Sequence, residues 1–255
     1  MKPGERLGFG PFWRGVRLVA GRELGAAFDA GIAPIAAIAY TLLASSIYMN
    51  EFFLRGTLDL TPFFDRQPLL LSFVLPALSM RLWAEEKRTR TVELLLTLPL
   101  RPAQAVTGKF LAALALFGLF LAGTLPLFVM LEVLGTPDRG LVLSGYLGLF
   151  CLGALFLAFG SLFSALASDQ IVAFVATALA ATFLVLTGDE RVAAILDGLA
   201  PGVAPGSFLR QHLSVLVPYG EFVRGVLRLS ALVYFAVLSG LALWTTALVL
   251  ERDRA

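Results

Sequence analysis

Charge is scarce in this chain. Of its 255 residues only 15% are Asp, Glu, Lys or Arg, where a soluble domain carries roughly 25%. Histidine and cysteine are scarcer still, at one each. His212 has no HExxH zinc motif around it, and no GxSxG elbow occurs anywhere. Without triad partners a lone loop histidine is plain surface. The phosphate-binding pattern GxxxxGK[ST] is missing as well. The chain is therefore expected to be non-catalytic, with no cofactor or metal of its own. If it does ATP-driven work, another subunit binds the ATP. Cys151 has no second cysteine to pair with and sits in an apolar run as a small packing residue. The N-terminal residues lack the apolar core of a secretory signal, so the first span is expected to act as its own insertion signal. A net charge of +2 does not call for nucleic acid, because a modest Lys/Arg excess is the ordinary topology signal of a membrane protein.

What the chain has instead is apolar length. Hydrophobic residues make up 58% and the mean hydropathy is +0.84. They come in continuous blocks, not in the alternation of barrel strands. Several blocks exceed the ~20 residues needed to span a ~30 Å hydrocarbon core. The expected fold is all-α and polytopic, one transmembrane domain over residues 1–255 with six spans near 31–48, 68–83, 105–131, 141–166, 171–187 and 230–250. Pro34, Pro76 and Pro126 fall inside the first three spans, where each is expected to kink its helix. Span centres hold essentially no ionisable residues, which argues against an ion-coupled carrier.

Counting Lys and Arg orients the spans. The N-terminal segment, the 81–109 hairpin and the tail hold thirteen, against seven in segments 50–67, 132–140 and 188–229. Both termini and the hairpin are then cytoplasmic. Residues 12–28 place Trp13, Val16, Leu18, Val19 and Leu24 among Arg14, Arg17, Arg22 and Glu23, the pattern of a helix lying in the cytoplasmic interface. Residues 188–229 form a long outside loop, too apolar for disorder, with short helical pieces near 209–217 and 221–229. Small residues crowd spans four and five, including Gly145, Gly148, Gly153, Gly160 and Ser164. They allow close helix approach, within the chain first and between subunits second.

The hairpin at 84–101 interrupts this oily chain with charge. Glu86 and Arg90, and Glu85 and Arg88, have the spacing of helical ion pairs. Thr89 or Thr91 could cap a new short helix in which Val92, Leu95 and Leu96 share a face, and Pro99 ends it. Pattern alone leaves two uses for such leucines, a docking surface or an anchor on the membrane surface.

The stretch from Pro76 to Lys109 resembles the signature of type-2 ABC transporter permeases, and in particular the gliding-motility-associated (GldF-like) branch. The matching residues are Pro76, Met80, Arg81, Glu85, Glu86, Thr91, Glu93, Leu94, Leu95, Pro99, Gly108 and Lys109. Glu23 and Phe28 ahead of span one, and Pro218, Phe222, Arg224, Gly225 and Tyr234 toward the end, extend the similarity over nearly the whole chain. Arg90 stands where that family usually has glycine.

The resemblance implies an interfacial N-terminal helix and six spans. It also implies a coupling helix between spans two and three and a re-entrant helical hairpin before span six. It further implies a separate ABC ATP-binding subunit as partner, a second permease chain (the same or a paralogue), and the bacterial inner membrane. In that picture Glu85, Glu86, Arg88, Thr91, Glu93, Leu94 and Leu95 form the ATPase-coupling surface, the leucines in a cleft and the charges around it. Rocking of paired bundles would export a substrate. The alternative is a non-transporting subunit that passes ATPase motion to a protein with an extracytoplasmic domain.

Overall fold

Glycines and prolines, more than polar residues, decide where this apolar chain turns. A computed structural model describes residues 9–89, 101–199 and 204–252, and the regular elements among them are eleven helices with no strand. Helix α1 (Phe9–Asp29) gives way at Gly31 to α2 (Ile32–Arg55), which stops at Gly56. Gly31 and Gly56 have φ of 69° and 64°, the left-handed region in which a Cβ is unwelcome. Then come α3 (Thr61–Ser79), α4 (Arg81–Arg88), α5 (Pro102–Leu134) and α6 (Arg139–Leu166). The chain closes with α7 (Gln170–Leu186), α8 (Glu190–Leu199), α9 (Pro205–His212), α10 (Leu216–Val223) and α11 (Leu229–Arg252). Pro62, Pro102 and Pro205 lie in the first two positions of their helices, where the missing N–H would have been an orphan anyway. Asp138 and Asp169 cap α6 and α7 by accepting from the first free N–H groups.

Five stretches are long and apolar enough to cross a membrane: Ala33–Leu54, Thr61–Arg88, Pro102–Leu134, Arg139–Leu166 and Leu229–Arg252. The protein is therefore a multi-pass membrane protein. The count of six is not reached by single helices. The 17 residues of α7 reach only about 25 Å at 1.5 Å each, and α7 qualifies only with α8, from which it is bent by 84°.

Two other expectations change. Pro34 lies in the first turn of α2 and interrupts no helix, so among the described residues the prolines inside the long apolar helices are Pro68, Pro76 and Pro126. The helix that carries the second apolar stretch begins at Thr61, seven residues before the expected span, and runs through Asp65 and Arg66. Arg66 can be there because its Nη2 meets Glu51 Oε1 of α2 at 2.7 Å.

Helix α6 is the scaffold on which the others pack. It touches α3, α4, α5, α7, α10 and α11, and 61% of its apolar stretch is buried, against 22% for α2. Its glycines make this possible: Gly145 receives the Phe64 ring, Gly148 the Phe222 ring and Gly153 the Phe117 ring. Gly160 receives Ser79. Large exposed residues such as Ile35, Leu42, Leu179, Leu229 and Trp244 turn outward from α2, α7 and α11, as surfaces solvated by lipid do.

Away from the α4 end, short α10 packs inside the bundle, with Val215 beside it and Tyr219, Phe222 and Val223 all buried. One bond there follows from covalent chemistry. Pro68 has no N–H to give the Phe64 carbonyl one turn earlier, and Tyr219 Oη donates to that carbonyl instead, at 2.8 Å. Ser144 Oγ of α6 likewise donates to the Phe222 carbonyl at 2.7 Å.

A methyl at Gly160 would overlap both Oγ and Cβ of Ser79, whereas one at Gly118 meets nothing within 4 Å. Gly160→Ala should therefore destabilise by about 1–3 kcal/mol through overpacking. Gly118→Ala should be neutral or gain up to about 1 kcal/mol from lower chain entropy. Thermal unfolding of the two variants in detergent checks the difference.

Candidate functional site

The break between α3 and α4 is held open from another helix. Ser164 Oγ of α6 donates to the Met80 carbonyl at 2.9 Å and accepts the N–H groups of Trp83 and Ala84, each at 3.0 Å. These three bonds exhaust a hydroxyl. They also supply the partner that the first N–H groups of α4 need, since Met80 provides no side-chain cap. One turn away, Ser161 Oγ accepts Trp83 Nε1–H at 3.1 Å, and the Trp83 ring is fully buried. At the other end of α4, Lys87 Nζ donates to the Ala165 carbonyl in the last turn of α6. A cation at a helix C-terminus also answers the dipole there.

The opposite face of α4 meets a buried cation. Lys109, in the second turn of α5, is 2% exposed at its side chain. Its ammonium donates to the Leu82 carbonyl at 2.7 Å and to Glu86 Oε1 at 2.8 Å, and Glu23 Oε1 of α1 lies at 3.3 Å. Three donors thus face three acceptors. The same ammonium is 4.8 Å from the centre of the Trp83 ring, close enough for a cation–π contribution. A charge this deep is tolerable only because it is paired and hydrogen-bonded.

Helix α1 reaches Lys109 along a single face. Gln104 Nε2 of α5 donates to the Phe12 carbonyl at 3.2 Å, Val16 and Val19 are buried, and Glu23 closes on the ammonium. Gly108 makes the approach possible. A Cβ there would stand 2.7 Å from Val19 Cβ and 3.0 Å from the Val16 carbonyl oxygen. Gln104 Oε1 in turn accepts the Arg101 N–H at 2.9 Å and so closes the start of α5.

Three of the residues expected on the coupling surface are described, and they divide. Arg88 is exposed and Glu85 half-buried, both on α4. Glu86 turns inward to Lys109, 23 residues on. The spacing-based pair Glu85–Arg88 does not form, because Glu85 and Arg88 make no ion pair among the described residues. Thr91, Glu93, Leu94 and Leu95, with Arg90, lie outside the described residues. Sequence reasoning used Lys109 as a topology charge and as a residue of the family signature, and gave it no structural partner. Its signal was a lone lysine next to glycine in the first turns of an apolar helix, with no acid three or four residues away.

His212 lies on α9 with its ring 4.6 Å from that of Phe208. No group of three His, Cys, Asp or Glu residues could hold a metal among the described residues.

Residues 68–250 match the family model described as ABC-2 family transporter protein. That match covers α3 to α11 nearly whole and includes Glu86 and Lys109. A search of curated proteins found no match.

Lys109→Met should take the shared cation from Glu86 and Glu23 in a poorly solvated place and cost about 3 kcal/mol. Adding Glu86→Gln to it should restore part of that loss, since the two sites share one interaction. Unfolding midpoints of the single and double variants in detergent measure the coupling, and strict additivity would remove the pair from the argument.

Proposed function

Because the chain belongs to the ABC-2 transporter family, we propose that this transmembrane subunit couples ATP hydrolysis on a separate ATP-binding subunit to export. The hairpin at 84–101 is the docking element. Glu85, Arg88 and Glu93 are its charge contacts, and Thr91, Leu94 and Leu95 are its packing contacts. Glu86 serves the same coupling from inside, through Lys109.

The observation that carries this reading is the number of helices held at the base of the hairpin. Ser164 and Lys87 tie α4 to α6, and Lys109 ties it to α5 and α1. A push on the hairpin therefore loads three helices at once. Rigid elements clamped at one end move as a body, which is what rocking between inward- and outward-open states needs. Ion pairs at the docking surface set its orientation more than its strength.

The remaining details follow the same reading. Both termini and α4 face the cytoplasm of a bacterial cell, in line with the Lys/Arg asymmetry. Helix α1 lies in the cytoplasmic interface, with Trp13, Leu18 and Phe28 exposed to lipid while its other face holds α5. The bent pair α7–α8 supplies the sixth crossing, and α9 with α10 forms the extracytoplasmic hairpin before the last span. A second permease chain, identical or a paralogue, completes the unit, and the signature from Pro76 to Lys109 supports the GldF-like branch.

One observation favours the non-transporting alternative over a conventional exporter. The bundle interior is filled by Phe63, Phe64, Phe117, Phe120, Phe156 and Phe222, each at most 1% exposed. Rings packed this tightly among the described residues leave an exporter's pathway to the face between two chains. A subunit without a pathway could pass motion to an extracytoplasmic partner just as well.

The coupling role is tested best away from Glu86, because a lysine there would face Lys109 and disturb the fold. Arg88→Glu with Glu93→Lys should leave membrane insertion intact. It should cut co-purification of the ATP-binding subunit about tenfold, the weight of one lost charge contact. ATP turnover in liposomes should fall to that of the ATP-binding subunit alone. Unchanged co-purification and unchanged turnover would refute the docking role.

A further inference from the structure

Beside the Lys109 cluster, α1, α4 and α5 leave a groove of about 280 Å³ that no side chain of the described residues fills. One wall is Glu23, Ala26 and Ala27 of α1 with Ala30 in the turn just after it, three of the four being alanine. The opposite wall is Arg81 and Glu85, and the buried floor is Ala112, Ala113 and Leu116. The groove is thus apolar at its bottom and charged at its rim. We propose that it binds the headgroup of a phospholipid bearing a primary ammonium, with the phosphate on Arg81 and the ammonium between Glu85 and Glu23.

Charge decides between lipid classes. Arg81 and Glu85 stand one helical turn apart, about 6 Å along α4. A phosphate and an ammonium joined by two carbons can bridge that distance. Neither side chain has a hydrogen bond or ion pair among the described residues, and Glu85 is half-buried. The nearby cations Lys87 and Lys109 are already held, one by the Ala165 carbonyl and the other by Glu86 and the Leu82 carbonyl. An anionic headgroup without an ammonium would face Glu85 and Glu23, the latter only partly answered by Lys109 at 3.3 Å, against the Arg81 guanidinium, which has no partner among the described residues. A quaternary ammonium would want aromatic faces, and alanines line this wall. The volume is slightly below the ~300–1,000 Å³ of small-molecule sites, enough for one headgroup and the start of one chain. The site rests on the proposed function only for naming the leaflet, which is the cytoplasmic one.

The full chain, purified without nucleotide or ATP-binding subunit, is exposed to equal amounts of phosphatidylethanolamine, phosphatidylcholine and phosphatidylglycerol. Native mass spectrometry then counts the lipid that stays bound. Phosphatidylethanolamine should be retained about tenfold over the other two, the weight of one charge-assisted contact. Ala27→Phe, which fills the groove, should abolish that retention. Should Ala27→Phe not fold, Glu85→Gln keeps the shape and should reduce the preference over phosphatidylcholine to near equality. Equal retention of the three lipids by the native chain, or an undiminished preference in Glu85→Gln, overturns the proposal. Neither result bears on ATPase coupling, which this measurement does not involve.

Discussion

A lysine ammonium with almost no access to water must find its acceptors inside the protein, and that requirement organises one whole end of this molecule. Lys109 finds them on two other helices. The Leu82 carbonyl and Glu86 belong to α4, and Glu23 belongs to α1. Each acceptor could be reached by some other arrangement, but all three together fix the axial position and rotation of α1 and α4 against α5. Burying such a cluster is weak as a source of stability and strong as a source of register. If α1 or α4 slid by one residue, a charge would be left without its partner. Gly108, immediately before the lysine, is part of the same constraint, since α1 lies where its side chain would be.

The other half of the anchoring comes from α6, and it is chemically different. Glycines and serines spaced along this helix offer the neighbours notches and hydroxyls, not charges. Ser164 serves α4 as a cap normally supplied from within the helix, and Lys87 returns the service at the last turn of α6. Helix α4 is thus a short rigid extension of the second crossing, joined to the bundle by polar bonds on two faces. In lipid, where apolar surface gives little net attraction between helices, such bonds and the close fit of glycine against ring carry the specificity.

Much of this architecture was legible in the chain itself. Continuous apolar blocks announced the long helices. Legibility failed where a residue's meaning depends on a distant partner. Arg66 appeared to mark a loop because Glu51, which neutralises it, belongs to another helix. Glu86 also meets Lys109, 23 residues further on, at a distance in sequence that helical spacing does not reach. The sharp bend after α7 was hidden for the same reason, since Gly188 is needed there to clear Ser214 and Leu216. Local spacing could not reveal contacts of that range. The leucine-rich stretch that gave the hairpin its identity lies outside the described residues, so its part in the coupling surface still rests on the resemblance.

The proline at position 68 has a consequence for how the protein comes into being. The carbonyl of Phe64 is deprived of its helical donor as soon as α3 forms, and its replacement, Tyr219, is 155 residues further along. At about 5–20 residues per second, a ribosome needs roughly 8–30 s to close that gap. Lys109, by contrast, follows Glu86 by only 23 residues. The end that carries α4 can lock while the chain is still being made, and the other end must wait for its last third. A nascent chain stopped before α10 would have the Lys109 cluster in place but a bare carbonyl at Phe64, and Trp83 would still lack Ala247 and Leu250 of the last helix.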